Sequence, residues 1–330
     1  MRDILNYLFE YKRLTKLEAE EILLDIAIGK HSDAEIAAFI TVFNMRTICI
    51  DELAGFRNAL LQICIPVDFS GFNTIDLCGT GGDGKDTFNI STLSAFVVAG
   101  TGATVAKHGN YAASSGCGSS NVMEYLGYKF SKDQARLCKE LDRCGITFLH
   151  APIFNPAMKN VAPVRRALKL KTFFNMLGPM VNPCRPQNQI VGVFSLELCR
   201  MYNYLYQQSN VNYCIIHSLD GYDEISLTGD FKVLTNKSEH IFSPSKLGMS
   251  VVKPEELAGS GDVPGTAAIF VNILDGKGTK TQNSVVIANA TMALSIYFPE
   301  KGIEECLEAA KSSLLGGKAL EVFTKLISLQ

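Results

Sequence analysis

Ten of the chain's 27 glycines stand between Gly79 and Gly127, most of them in two short loops, 79–86 and 107–121, that each follow a short apolar run. Glycine carries no Cβ, so such loops bare backbone amides, and amides at the end of a strand suit the binding of an anion. The first loop, Gly79-Thr80-Gly81-Gly82-Asp83-Gly84-Lys85-Asp86, comes close to two phosphate-binding patterns. Read as G-x-x-x-x-G-K-[ST], it fails at the last position, where Asp86 brings a negative charge in place of a metal-binding hydroxyl. Read as G-x-G-x-x-G, no helix opens at once, and the next strand ends in Lys107 where a dinucleotide fold wants an acid for the ribose hydroxyls. What survives both failures is shared physics: small residues presenting N–H groups to an anion, with Lys107 as a nearby point charge.

Asn89-Ile90-Ser91-Thr92 follows at a predicted helix start, where its amide and hydroxyls read first as caps and second as ligands. The second loop, Lys107-His108-Gly109-Asn110-Tyr111-Ala112-Ala113-Ser114-Ser115-Gly116-Cys117-Gly118-Ser119-Ser120-Asn121, joins one cation and one titratable ring to many small hydroxyls. That composition suits a sugar phosphate, whose phosphoryl oxygens accept from hydroxyls and amides while Lys107 offsets part of the charge. Other candidates are weaker on residue type alone. Asp223-Glu224 reads as a solvated acidic turn, Arg165 equally as a surface ion-pair partner or a ligand, and Arg166 as a surface partner. His108 stands open between a structural histidine and a substrate contact.

Periodicity shows which helices and strands carry these residues. Thr15 to Glu18 and Ser32 to Glu35 each form a capping box, opening helices through Ile22, Leu23 and Ile26 and through Ile36, Phe39, Ile40 and Phe43. From residue 75 the pattern changes to short apolar runs at 75–78, 104–106, 190–194 and 213–217, alternating with helical stretches at 93–98 and 196–208. This predicts an α/β fold: a small helical domain over 1–66 and a large α/β domain over 67–330 with a mostly parallel, buried sheet. The stretch 231–266 reads as hairpins and loops, followed by helices at 283–298 and from 301 toward 315.

Composition sets the boundary conditions. With 330 residues, 47% apolar and 19% charged, the chain can bury a core and is not intrinsically disordered. A formal charge of −2 supplies no field for nucleic acid or an anionic membrane, and no run of eighteen apolar residues spans a bilayer, so a cytoplasmic protein is expected. The 10 cysteines form no C-x-x-C pair and read as buried free thiols.

Taken together, GTGGD, NIST, KHGN with the SS and GSS that follow, PVRR, NMLGPMVNP and DGYDE resemble the anthranilate phosphoribosyltransferase family of tryptophan biosynthesis, in the family's order and over nearly the whole chain. The resemblance implies transfer of a phosphoribosyl group from 5-phosphoribosyl 1-pyrophosphate (PRPP) to anthranilate, releasing pyrophosphate, with two Mg²⁺ ions. It also implies that a mid-chain segment near 160–185 completes the helical domain. Carried over by residue, Gly79, Gly82, Asp83, Thr87, Asn89, Ile90, Ser91, Thr92, Lys107, His108, Gly109, Asn110, Ser114, Ser115 and Ser119 would hold PRPP. Gly79, Asn110 and Arg165 would hold anthranilate; Ser91, Asp223 and Glu224 would hold metal; Lys107, Asp223 and Glu224 would be catalytic.

Three positions depart from the common family form: Tyr111 and Gly116 replace an Arg and a Lys, and Asn155 replaces a His, so an altered balance of substrate contacts is expected. The family's twofold dimer through the helical domains, with each active site complete in its own subunit in the cleft between the two domains, fits two apolar stripes. These are Ile4, Leu5, Leu8 and Phe9, and Ile36, Phe39, Ile40 and Phe43. A pyrimidine nucleoside phosphorylase and a non-catalytic nucleic-acid binder of related architecture are the competing readings. Near-neutral charge and the complete acidic pair argue against the second.

Overall fold

Local capping chemistry fixes the first helices: α1 (Arg2–Phe9), α2 (Lys16–Ala27), α3 (Asp33–Met45) and α4 (Ile50–Ile63). Both expected capping boxes form, with the Glu18 and Glu35 carboxylates accepting from the backbone N–H of Thr15 at 2.8 Å and of Ser32 at 2.9 Å. The computed structural model describes residues 1–111 and 116–330, so the candidate ligands Ser114 and Ser115 lie outside the described residues.

The chain forms two compact units, Met1–Val67 with Ala151–Arg185, and Asp68–His150 with Pro186–Gln330. In the helical unit the returning segment is tied in by backbone bonds from Ile65 N–H to the Phe154 carbonyl at 2.7 Å and from Val67 N–H to the Pro183 carbonyl at 3.3 Å. Its Phe173 ring stacks on Phe56 at 4.4 Å and meets Phe39 and Phe43 edge-on. The stripe on α3 is therefore the unit's own core. On α1, Leu8 is buried, whereas Phe9 is 60% exposed.

The second unit is built on one sheet of β1 (Thr74–Gly79), β2 (Thr104–Gly109), β3 (Ile146–His150), β4 (Asn188–Gly192), β5 (Asn212–Ser218), β6 (Phe231–Thr235) and β7 (Glu239–Phe242). Their order is β3-β2-β1-β4-β5-β6-β7; the first five are parallel, and β6 and β7 add an antiparallel hairpin. Buried parallel strands carry near-continuous apolar runs, which is why β1, β2, β4 and β5 are readable; β3 is absent from the sequence reading. The helix α5 (Ile90–Gly100) crosses from β1 to β2, its Phe96 packed against Phe148 and Phe270. Because β1 pairs with β2 on one side and β4 on the other, the crossovers part at the carboxyl ends of β1 and β4. Such a switch point is where open α/β sheets bind ligands.

Two expectations need correction. The stretch to residue 266 is not all hairpins and loops, because a helix, Val263–Leu274, begins within it and is capped by Asp262, which accepts from Gly265 N–H at 2.8 Å. The ten cysteines are free, but Cys49, Cys78, Cys138 and Cys184 keep partial exposure, Cys49 at the start of α4 and Cys184 in the turn before β4. Among the described residues no helix is long and apolar enough to cross a membrane.

Candidate functional site

Gly79 and Gly192 are register partners at the ends of β1 and β4, and a Cβ on either would collide with Asp223. Two glycines side by side thus let the turn after β5 lay Asp223 on the switch point, where it is only 7% exposed. The turn is pinned from both ends. Ser218 Oγ donates to the Glu224 carbonyl at 2.7 Å, while Asn289, from the helix Lys280–Tyr297, brackets Ile225, donating to its carbonyl at 2.9 Å and accepting from its N–H at 3.0 Å. Asp223–Glu224 is therefore not the solvated turn that residue type suggests.

The two carboxylates hold the elements the motifs mark. Asp223 Oδ2 accepts from Gly81 N–H at 2.6 Å, and Glu224 Oε1 accepts from Ser91 N–H at 2.9 Å. Glu224 thereby caps α5, a role expected of the NIST side chains. Asn89 makes no cap; its Nδ2 donates to the Cys117 carbonyl at 3.2 Å, joining the two loops. Burial, then the charges of Glu224 and Asp83, push the Asp223 carboxyl well above the usual carboxylate range. Burial and Asp83 likewise push Glu224 up to about 7.

Lys107 enters from β2. It is buried, and its ammonium donates to the Leu77 carbonyl of β1 and, at 3.4 Å, to Ser91 Oγ, so it is a fixed charge beneath the loops rather than a free arm. The segments that carry these residues also hold polar atoms that lack partners. The buried Thr80 and Thr92 hydroxyls and the Asn89 side-chain oxygen have none among the described residues. A small cavity bordered by Cys78, Ser91, Ser94, Asp223, Glu224 and Asn289 opens there.

Of the other expected ligands, Gly82 lies in a loop where Gly81, Gly82 and Gly84 all take positive φ, a turn path that favours glycine. Asp83 Oδ1 accepts from Lys85 N–H at 3.1 Å. Thr87 pairs its backbone with Ala258, and Ile90 has a fully buried side chain and an N–H that donates to the Phe88 carbonyl at 2.6 Å. Gly109 is a spacer, since a Cβ there would stand 2.6 Å from Ser119 Oγ. Ser119 Oγ and Ser120 N–H both donate to the Asn110 carbonyl, at 3.3 and 3.1 Å. His108 is 3% exposed, with its N–H bound to Asp76 at 3.0 Å; its ring is part of the interior. Tyr111 reaches Glu124 through its hydroxyl at 3.2 Å and sets its ring edge-on to His150.

Arg165 belongs to the helical unit. It is half-buried, its guanidinium lies 5.2 Å from the centroid of the Phe174 ring, and it has no ion pair among the described residues. Burial lowers its affinity for its proton, as expected of a cation lacking a counter-charge. In the same unit the buried Asn155 carries a side-chain oxygen with no partner among the described residues. Sequence reasoning missed Gly192, Ser218 and Asn289. Asn289 alone had a signal, as a polar residue inside the apolar helix run VVIANATMAL.

Comparison with known proteins gives this arrangement a context. Residues 2–64 match the helical bundle domain of a glycosyl transferase family, and residues 71–320 match that family's a/b domain. The anthranilate phosphoribosyltransferase of Christiangramia forsetii is 57% identical over 332 residues, covering 100% of this chain and 99% of its own. That of Bacteroides fragilis is 51% identical over 329 residues, again covering 100% and 99%. Among solved structures, the anthranilate phosphoribosyltransferase of Thermus thermophilus superposes with a TM-score of 0.89 at 29% identity, covering 98% of each chain. The Saccharomyces cerevisiae enzyme in complex with PRPP and Mg shares the fold at a TM-score of 0.90 and 24% identity, covering 98% of this chain and 96% of its own.

Proposed function

The chain belongs to the anthranilate phosphoribosyltransferase family, and from that premise we propose that its sheet switch point is where the phosphoribosyl group of PRPP passes to anthranilate. The products are N-(5-phosphoribosyl)anthranilate and pyrophosphate, a step of tryptophan biosynthesis. The observation that carries the placement is the Asp223–Glu224 pair: Asp223 is laid over two facing glycines, with like charge beside it.

The residues fit magnesium. Mg²⁺ prefers hard oxygen donors, binds through one or two carboxylates, and completes its shell with waters and substrate phosphates. Asp223 and Glu224 supply the carboxylates with Ser91 joining on one ion, and two ions are expected with PRPP. Among the described residues no group of three His, Cys, Asp or Glu side chains is disposed to hold a metal by itself, which suits an ion whose shell the substrate completes. When bound, the metal neutralises charge gathering on the departing pyrophosphate.

The chain's own residues do the rest. Gly79, Gly82 and Asp83 of the glycine loop, with Thr87, Asn89, Ile90, Ser91 and Thr92, would line the place of the polyanion, with the second loop's Lys107, Gly109, Asn110 and Ser119. Lys107 is held in place by Leu77, so its charge needs no reorganisation as the anomeric C–O bond breaks. Anthranilate's amine is nucleophilic when neutral, so positioning suffices and no covalent nucleophile is required. Arg165, desolvated and without an ion pair among the described residues, would hold the anthranilate carboxylate; Asn110 and Gly79 are the other residues proposed for anthranilate.

The protein is proposed to act in the cytoplasm as a homodimer through its helical domain. Phe9 at 60%, Tyr11 at 77% and Met45 at 78% exposure support that reading. The assay is loss of anthranilate fluorescence on mixing protein, PRPP and Mg²⁺. Arg165→Ala should raise the KM for anthranilate roughly tenfold or more, the worth of a charge-assisted hydrogen bond, with the KM for PRPP little changed. A selective loss of PRPP affinity would place Arg165 at the other substrate.

A further inference from the structure

Asp86 is the residue that spoils the P-loop pattern, and neither the metal nor the phosphate chemistry above uses it. An exposed carboxylate beside a polyanion site is an electrostatic cost, so its presence needs another reason. Asp86 also adopts a positive φ of 48°, a conformation tolerated by Asp and Asn better than by most L residues and freely by Gly.

Three segments converge on it. Its side-chain Oδ1 accepts from Gly116 N–H of the second loop at 3.2 Å, and its carbonyl accepts from Gly259 N–H at 2.9 Å. The stretch around Gly259 runs as a strap along the end of the glycine loop. Ala258 pairs antiparallel with Thr87, and the Leu257 carbonyl accepts from Phe88 N–H at 3.1 Å. The same strap abuts the second loop, since a Cβ on Gly116 would stand 2.8 Å from the Gly261 carbonyl oxygen. This explains why Gly116 tolerates no longer residue here: the space for a side chain is filled by strap backbone.

We propose that Asp86 is a positioning residue for PRPP, fastening the glycine loop, the second loop and the strap to one another so that their amides are set before the phosphates arrive. Preorganisation of this kind lowers the ordering cost of binding and acts on affinity more than on the chemical step. The inference rests on the proposed PRPP site.

Three variants separate the bond from charge and from backbone strain. Asp86→Gly keeps the positive φ without strain but removes the acceptor, and should raise the KM for PRPP about fivefold, the value of one net hydrogen bond. Its kcat, its KM for anthranilate and its melting temperature should stay near wild type. Asp86→Asn keeps both the acceptor and the conformation and removes a charge, so its KM for PRPP should be at or below wild type. Asp86→Ala loses the bond and adds strain, and should be weaker for PRPP than Asp86→Gly. A wild-type KM in Asp86→Gly, or an Asp86→Asn that behaves like Asp86→Gly, overturns the inference. Glu224→Gln in the same assay keeps the two readings apart. If that variant turns over like wild type, the site reading has failed. If it is inactive while Asp86→Gly has a normal PRPP KM, only the Asp86 inference has.

Discussion

Glu52 in the helical unit and the Asp223–Glu224 pair in the α/β unit are all drawn away from bulk water, yet they are treated in opposite ways. Glu52 is fully buried on α4, accepts from Leu14 and Cys49 N–H at 3.0 and 2.9 Å, and meets the Arg46 guanidinium through both of its oxygens, at 2.5 and 3.0 Å. Burial alone would raise its carboxyl; Arg46 and the two amides outweigh it and hold the group below the usual range. Asp223 has one amide partner, from Gly81, and its nearest charges are Glu224 and Asp83, so it is driven the other way. Lys107 offsets only part of the pair's charge, its ammonium being committed to the Leu77 carbonyl and Ser91. A buried acid whose partners are all present is architecture. One whose charge is left to be met by something outside the chain is a binding site.

The sharpest way to break this contrast is to neutralise each acid in turn. Asp223→Asn with Glu224→Gln keeps acceptors for Gly81 and Ser91 but removes the charge, and should cost roughly a hundredfold or more in magnesium-dependent turnover. Metal-free stability should rise, because like-charge repulsion disappears. Since both folded carboxyls titrate above their unfolded values, the wild type loses stability as pH rises from the ordinary carboxylate range toward about 7 for Glu224. The variant's advantage in melting temperature should therefore be larger at pH 8 than at pH 5.

Glu52→Gln should do the reverse. It leaves Arg46 buried without its counter-charge and should cost about 3 kcal/mol in chemical denaturation, with kcat and both KM values unchanged. Glu52 has a depressed folded pKa, so its contribution is present above the unfolded value of about 4.3 and is lost as pH falls through the folded one. The variant's acid limb should be correspondingly flatter. A loss of turnover without a loss of stability would erase the distinction between the two acids.

What the sequence made legible was local. Thr15 and Ser32 find their glutamates three residues on, and the glycines of 79–84 announce bared amides, because both signals sit within a single turn of chain. What escaped depended on distance. Asp223 looks like any surface acid until Gly79 and Gly192, which flank it from β1 and β4, are known to make room. The cap of α5 comes from Glu224, 133 residues from Ser91, so the NIST side chains could not reveal it. The helix Val263–Leu274 was hidden by Pro264 and Gly265 in its first turn, where helix starts tolerate them but periodicity does not. Family motifs carried the metal and PRPP assignments, and they said nothing of Asp86, whose partners Gly116 and Gly259 lie in two other segments.

On this reading Asp223 and Glu224 hold a charge the protein leaves for magnesium and pyrophosphate. Calorimetric titration of Mg²⁺ into protein with pyrophosphate tests it most directly, with wild type, Glu52→Gln and Asp223→Asn/Glu224→Gln side by side. Wild type and Glu52→Gln should bind the metal with the same affinity, and the double variant should show none of that binding. Equal magnesium affinity in all three would mean that Asp223 and Glu224 do not hold the metal.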